Sequence, residues 1–204
     1  MNRSLEDALR DSAPPPGSDT AAAARRAGDR AAREGLVDLA YALAPSPLGD
    51  LVLAATPRGL VTVAYEDGRL DAVLDRLAAR VSPRVLEAPA RLDGPRRELE
   101  EYFEGRRRDF DLDVDWHLTR GFTRRVLQAT ARIPYGGAST YLEVAGRAGS
   151  PRAVRAAGNA LGANPMAIVV PCHRVLRTGG GLGGYTGGLP RKRFLLELEG
   201  APPA

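Results

Sequence analysis

The spacing of apolar residues changes character part-way along the chain, and that change constrains the fold more than any other feature. From Leu36 to Asp115 the apolar segments are short: Leu39 to Leu43, Asp50 to Ala55 and Leu60 to Tyr65. They are separated by Pro45-Ser46-Pro47-Leu48-Gly49 and Thr56-Pro57-Arg58-Gly59. Proline and glycine clusters of this kind end one extended segment and turn the chain into the next, so a small meander is predicted. Two helical stretches follow, Arg69 to Val81 and Leu92 to Glu104, the first with Leu70, Val73, Leu74 and Leu77 on one face. Phe110, Leu112 and Val114 then alternate with aspartates, the period of a strand. After Leu118 the pattern is mainly helical, beginning with Phe122 to Ala131 and stopping at Ile133-Pro134-Tyr135-Gly136-Gly137. The expectation is an α+β chain in three parts. Residues 1–35 form a polar, mobile extension with Pro14-Pro15-Pro16 ahead of an Ala/Arg helix; residues 36–115 form a small domain with a short antiparallel sheet; residues 118–204 form a mainly helical domain.

Within the helical part, Ser139 or Thr140 caps a helix that runs to Gly146, and Arg147 to Ser150 make a turn. A serine cap followed by a proline in the first turn, Ser150-Pro151, starts the next helix, which carries Ala153, Val154, Ala156, Ala157, Ala160 and Leu161. Two short helices joined by a four-residue turn fit a helix-turn-helix and an ordinary helical hairpin equally well.

Charge divides at the same place. Residues 1–117 hold 17 basic and 22 acidic side chains, a net of −5, whereas residues 118–204 hold 12 and 3, a net of +9. A positive field confined to one domain suits a polyanion, because neutralising phosphates releases condensed counterions. An arginine-rich composition with Lys192 as the only lysine raises the basic count, but it does not explain why no aspartate follows Asp115.

With one cysteine, Cys172, and two histidines, His117 and His173, a disulfide framework and a cysteine-rich zinc site within one chain are excluded, and no metal or other cofactor is expected. No apolar run approaches the length of a membrane span, so a cytoplasmic protein is expected. The densest chemistry lies in Asn164-Pro165-Met166-Ala167-Ile168-Val169-Val170-Pro171-Cys172-His173-Arg174-Val175. A thiol is mostly protonated at neutral pH, so a nucleophilic role needs a base or a positive field, and His173 and Arg174 supply both. Neighbouring side chains seldom point together, which favours a water between Cys172 and His173. Glu197 and Glu199 are the only acids after Glu143, and either can orient the imidazole. A buried, inert thiol fits the same residues.

Pro171-Cys172-His173-Arg174-Val175, preceded by Asn164-Pro165 and followed by Gly184-Tyr185-Thr186-Gly187-Gly188-Leu189, closely resembles the O(6)-alkylguanine-DNA alkyltransferases, or methylated-DNA–protein-cysteine methyltransferases. The likeness is strong over residues 118–200 and looser from Ser46-Pro47-Leu48-Gly49 to Thr56. It implies a ribonuclease H-like N-terminal domain and a winged-helix-like helix-turn-helix. Cys172 would accept an alkyl group from O(6)-alkylguanine in double-stranded DNA, once per molecule, with O(4)-alkylthymine as a second candidate substrate. By the same resemblance His173 is the base acting through water and Glu199 its partner. Tyr141 donates to N(3) of guanine, and Asn164 is the hinge between DNA-binding helix and active-site strand. Arg155 is the finger that fills the gap left by the flipped base, with Ala153, Ala156, Thr140 and Ser150 beside the minor groove. Val175, Tyr185, Thr186, Pro171 and Arg174 form the guanine pocket. Thr186 stands where alanine or serine is more familiar, and Phe194 where bacterial members often have tryptophan. A monomer acting on DNA is implied. The competing classes are a non-catalytic binder of alkylated DNA, from which Cys172 sets the chain apart, and an alkylation-responsive transcription regulator.

Overall fold

Three strands form where turn residues bracket them in the computed structural model, which describes residues 18–35 and 37–201. They are β1 (Leu39–Ala44), β2 (Leu51–Thr56) and β3 (Gly59–Tyr65). Ala42 lies opposite Leu53, and Leu53 opposite Val63, in antiparallel register. A fourth strand, β4 (Val85–Glu87), runs parallel to β1 and completes the order β3-β2-β1-β4. Sequence periodicity misses β4 because three residues are too few to display alternation.

The Ala/Arg segment of the N-terminal extension forms a helix, as its composition predicts. Helix α1 (Ser18–Arg33) lies on β4 so closely that a Cβ on Gly28 would sit 2.1 Å from the Glu87 carbonyl oxygen. Only a residue without a side chain permits that approach. Asp29 accepts a hydrogen bond from the Ala90 amide at 3.2 Å, and Ala31 packs on Val37, Ala40 and Ala88. Pro14-Pro15-Pro16 lie outside the described residues.

β2 is buried along its whole length because both faces of the sheet are covered. Val52 and Ala54 pack with Val73 and Leu77 of α2 (Leu70–Arg80). Leu51, Leu53 and Ala55 face the other way, toward Leu99 and Tyr102 of α3 (Asp93–Phe103). Each valine or leucine so buried contributes about 1.5–3 kcal/mol relative to exposure. The alternation of Phe110, Leu112 and Val114 does not signal a strand, contrary to expectation. All three side chains are partly buried, but the backbone meets β3 only at Leu60, whose amide donates to Asp113 and whose carbonyl accepts from Asp115, both at 2.8 Å.

The helical half contains α4 (Gly121–Thr130), α5 (Tyr141–Arg147), α6 (Val154–Gly162) and α7 (Leu189–Leu198), with a two-residue parallel pair, β5 (Ser139–Thr140) and β6 (Val175–Leu176). α4, α5 and α6 share a core through Val126, Leu127, Val144, Ala145, Ala157 and Ala160. α6 begins three residues later than the Ser150-Pro151 signal predicts. The Ser150 carbonyl instead accepts from the Ala153 amide at 2.9 Å, closing a turn, and Ala153 becomes the residue that precedes the helix.

α7 belongs to both halves. Leu195 packs into the sheet core beside Leu53 and Leu99, although the helix follows the helical domain in sequence. A short backbone junction also crosses between the halves, with Val63 and Ala167 amides donating to the carbonyls of Pro165 and Val63, each at 2.9 Å.

Candidate active site

Asn164 ends the chain's passage from α6 and organises the segment that follows. Its Oδ1 accepts from the Met166 amide at 3.0 Å, and its Nδ2 donates to the Val170 carbonyl at 2.8 Å and reaches Cys172 Sγ at 3.2 Å. The turn between is tight enough to hold Ile168, a β-branched residue, at φ 73°. Such a conformation persists only where its surroundings over-determine it, and here Asn164 and a 2.9 Å bond from the Val170 amide to the Met166 carbonyl do so. The segment delivers Cys172, 5% exposed, to a cavity of about 220 Å³ that Val63, Tyr65, Asn164, Ala167 and Thr186 also line.

His173 is fully buried and its Nε2 lies 2.8 Å from Glu199 Oε1. A carboxylate there favours the proton on Nε2, which leaves Nδ1 as an acceptor; Nδ1 has no hydrogen-bond partner among the described residues. Glu199, not Glu197, therefore orients the ring. It does more than the sequence suggests. Arg174 Nε and Nη2 donate to it at 2.8 and 2.9 Å, and Tyr102 Oη donates at 2.7 Å. Burial pushes the Glu199 carboxyl up, but the hydrogen bonds from His173 and Arg174 outweigh it and hold the group down at about 2. Burial pushes the His173 imidazole below its ordinary value against the pull of Glu199, so the ring is neutral at physiological pH. Burial also pushes the Cys172 thiol up, opposed by the Asn164 hydrogen bond and the charge of Lys192.

Lys192 is the functional residue that sequence reasoning overlooked. Its ammonium is fully buried on α7 and donates to the carbonyls of Val175 at 2.6 Å, Gly184 at 3.4 Å and Leu182. Desolvation lowers it to about 8. It pins the glycine-rich loop to β6 and sets a positive charge near the thiol. The available signal was its being the sole lysine in a chain otherwise basic through arginine, set in the apolar turns of α7.

Several expected site residues have other roles in the structure. Arg174 and Pro171 do not line the cavity that reaches Cys172; they line a separate hollow with Phe110, Val114 and Ile133. Arg174 is buried and its charge is spent on Glu199, with Nη1 also donating to the Ile133 carbonyl at 2.5 Å. It therefore adds little positive field at the thiol. The carbonyl of Val175 accepts from Lys192. Tyr141 is partly buried beside Gly158, its hydroxyl 3.5 Å from the Gly184 carbonyl, so it faces the glycine loop. Thr186 donates to the Gly162 carbonyl at 3.0 Å, joining that loop to the end of α6. Tyr185 stands edge-on to His173, ring centroids 6.4 Å apart.

The outer face of the helix pair is basic. Arg155 and Ala156 are exposed on α6, Ala153 is half-buried, and Ala157 points into the core, so only the first three can approach a partner. Thr140 caps α5, its hydroxyl accepting from the Glu143 amide at 3.2 Å while Glu143 accepts from the Thr140 amide at 2.9 Å. Ser150 serves the turn before α6 through its backbone. Of the three acids after residue 117, Glu199 is buried and Glu143 is engaged in this cap, so Arg120, Arg125, Arg147, Arg152 and Arg155 are exposed with little opposing charge.

Two family models cover most of the chain. Residues 39–116 match the ribonuclease-like domain of 6-O-methylguanine DNA methyltransferase, and residues 121–201 match its DNA binding domain. A methylated-DNA–protein-cysteine methyltransferase of Methanosarcina acetivorans is 39% identical over 161 residues, 79% of this chain and 98% of that protein. One of Mycobacterium bovis is 40% identical over 164 residues, 78% of this chain and 91% of that protein. Among solved structures, Mycobacterium tuberculosis OGT in complex with DNA aligns with a TM-score of 0.67 at 38% identity, covering 80% of this chain and 95% of that one.

Proposed function

This chain belongs to the 6-O-methylguanine DNA methyltransferase family, and from that premise we propose that Cys172 is the acceptor in direct repair of O(6)-alkylguanine in DNA. The observation that carries the assignment is the chain's only cysteine, at a cavity wall, hydrogen-bonded by Asn164 and next in sequence to a His173–Glu199 pair.

In the reaction, Sγ attacks the saturated carbon of the alkyl group in line with its bond to O(6). The S–C bond forms, the C–O bond breaks, and the electron pair goes to guanine. The thiol proton passes through water to Nδ1 of His173, whose imidazolium Glu199 stabilises. Tyr141 hydrogen-bonds the departing base, which ends as neutral guanine once the proton is returned. Cys172 ends as a thioether, so each molecule acts once. The high thiol and low imidazole values favour a resting site that holds thiol rather than thiolate. Deprotonation then awaits a bound substrate, and an unspent acceptor is protected from wasteful alkylation or oxidation.

The substrate atom is inaccessible within a duplex, so the nucleotide must be turned out at a cost of a few kcal/mol. Arg155, exposed on α6 beside the small side chain of Ala156, supports insertion into the vacated stack from the minor groove. Among the described residues no helix is long and apolar enough to cross a membrane. Repair takes place in the cytoplasm, by a monomer.

Mixing the protein with duplex DNA containing O(6)-methylguanine is expected to add the mass of one methylene to each molecule, on the peptide containing Cys172, without turnover. An unchanged intact mass beside a repairable substrate overturns the assignment. Arg155→Ala is expected to slow transfer from duplex about tenfold, equivalent to about 1.4 kcal/mol, and to leave transfer from free O(6)-methylguanine base near the parent rate. Equal slowing of both would remove the base-flipping role.

A further inference from the structure

Tyr185 lies in the helical half, yet the group its hydroxyl meets belongs to the sheet. Tyr65, the last residue of β3, brings its hydroxyl 2.9 Å from that of Tyr185, with ring centroids 6.3 Å apart at 74°. Burial pushes the Tyr65 hydroxyl up to about 12 and that of Tyr185 upward as well, so both keep their protons at neutral pH and one donates to the other.

Three further observations make this a built contact. The face of the Tyr65 ring is covered by the Arg191 guanidinium, 4.1 Å from the centroid, a cation–π arrangement. Arg191 is itself fixed, with Nη1 and Nη2 donating to the two Asp67 oxygens at 2.7 and 2.6 Å, and Nε and Nη2 donating to the Leu48 carbonyl at 3.1 and 2.9 Å. The loop passes so near that a Cβ on Gly187 would lie 2.3 Å from Tyr65 Cε2 and 2.8 Å from Tyr185 Cε1. Tyr65 also lines the same cavity as Cys172 and Thr186.

We propose that Tyr65 is a positioning residue for alkyl transfer: clamped by Arg191 and Asp67, it holds residues 183–188 so that Tyr185 stands against His173 and Thr186 borders the cavity of Cys172. This rests on the reading of Cys172 as acceptor, and it gives the sheet half a part in the chemistry. Tyr65 acts through Tyr185, and the basic face that meets DNA is on other elements. The effect therefore falls on the transfer step after DNA is bound.

Single-turnover transfer measured against DNA concentration separates affinity from the rate in the bound state, and hydrogen exchange of residues 183–188 in the free protein reports the loop directly. Tyr65→Phe keeps the ring under Arg191 and removes only the hydroxyl. It is expected to lower the bound-state rate about three- to tenfold, as for one neutral hydrogen bond, with affinity for DNA unchanged and exchange in 183–188 faster. Tyr185→Phe is expected to do the same, and the double variant to lose no more than either single one. Gly187→Ala, which displaces the loop from both rings, is expected to lose more. A Tyr65→Phe rate and exchange pattern equal to the parent's, or losses that multiply in the double variant, would overturn the role. Should the parent transfer no methyl group, the acceptor reading fails, and the exchange comparison decides whether Tyr65 holds the loop.

Discussion

Cys172→Ser is expected to transfer no methyl group while binding duplex DNA at low salt as tightly as the parent. The replacement is nearly isosteric, and Asn164 Nδ2, 3.2 Å from the sulfur, can donate to a hydroxyl oxygen instead, so the segment keeps its anchor. What is lost is the nucleophile: an alcohol beside a neutral, buried histidine is far harder to ionise than a thiol, and no second cysteine is present to replace it. The DNA-binding face we propose is carried by Arg155 and its exposed neighbours, none of which lines the cavity of Cys172. Intact-mass spectrometry and a salt titration of DNA binding test the two statements separately. Transfer by the serine variant would show that the acceptor is elsewhere. Loss of low-salt binding would show that the reading surface and the chemistry are not separable.

The second large effect concerns stability. Glu199→Gln keeps the shape of the side chain but leaves the Arg174 guanidinium buried without a counter-charge, and breaking a buried pair from one side costs about 3–5 kcal/mol. Against a total of about 5–15 kcal/mol for a native protein, that loss is expected to lower the thermal midpoint by about 10 °C and to abolish transfer. Replacing both partners at once, Glu199→Leu with Arg174→Met, is expected to restore only part of the stability, since the buried Tyr102 hydroxyl and His173 Nε2 lose their acceptor, and none of the transfer. The same pair governs acid behaviour. Glu199 ionises at about 2 in the fold against 4.5 when unperturbed, so the unfolded chain takes up the proton first. The contribution is complete above pH 4.5 and is lost as the pH falls toward 2. His173, pushed below 6.5 by burial, acts in the same direction from higher pH, because unfolding lets it protonate. Thermal midpoints measured from pH 7 downward should therefore fall, and in Glu199→Gln the part of the decline below pH 4.5 should be shallower. A variant as stable as the parent at neutral pH would contradict the account.

What could be read from sequence was what local chemistry encodes. The proline and glycine clusters around Pro47 and Gly59 end strands by fixing backbone angles, and the strands lie where those turns put them. Cys172, His173 and Asn164 stand on one short segment, so their association needed no knowledge of the fold, and the resemblance selected Glu199 over Glu197 as the structure does. Contacts between distant segments were not legible. Tyr102 reaches Glu199 across 97 positions and Tyr65 reaches Tyr185 across 120, and no periodicity carries such a pairing. Arg174 looked like a cation free to act on the thiol because its counter-charge was invisible. Local signals also compete: Ser150-Pro151 is a sound start for a helix, but the turn it enters closes first through Ala153.

α7 bears on how the molecule comes apart. One face of this helix puts Leu195 into the sheet core, another buries Lys192 under the glycine loop, and Arg191 reaches back to Leu48 and Asp67. Peeling it away would strip apolar cover from β2 and in the same motion unmake the acceptor site. The sheet and the helical bundle are therefore expected to melt together as a single cooperative unit, coupled by this helix and by the backbone junction of Val63 with Pro165 and Ala167.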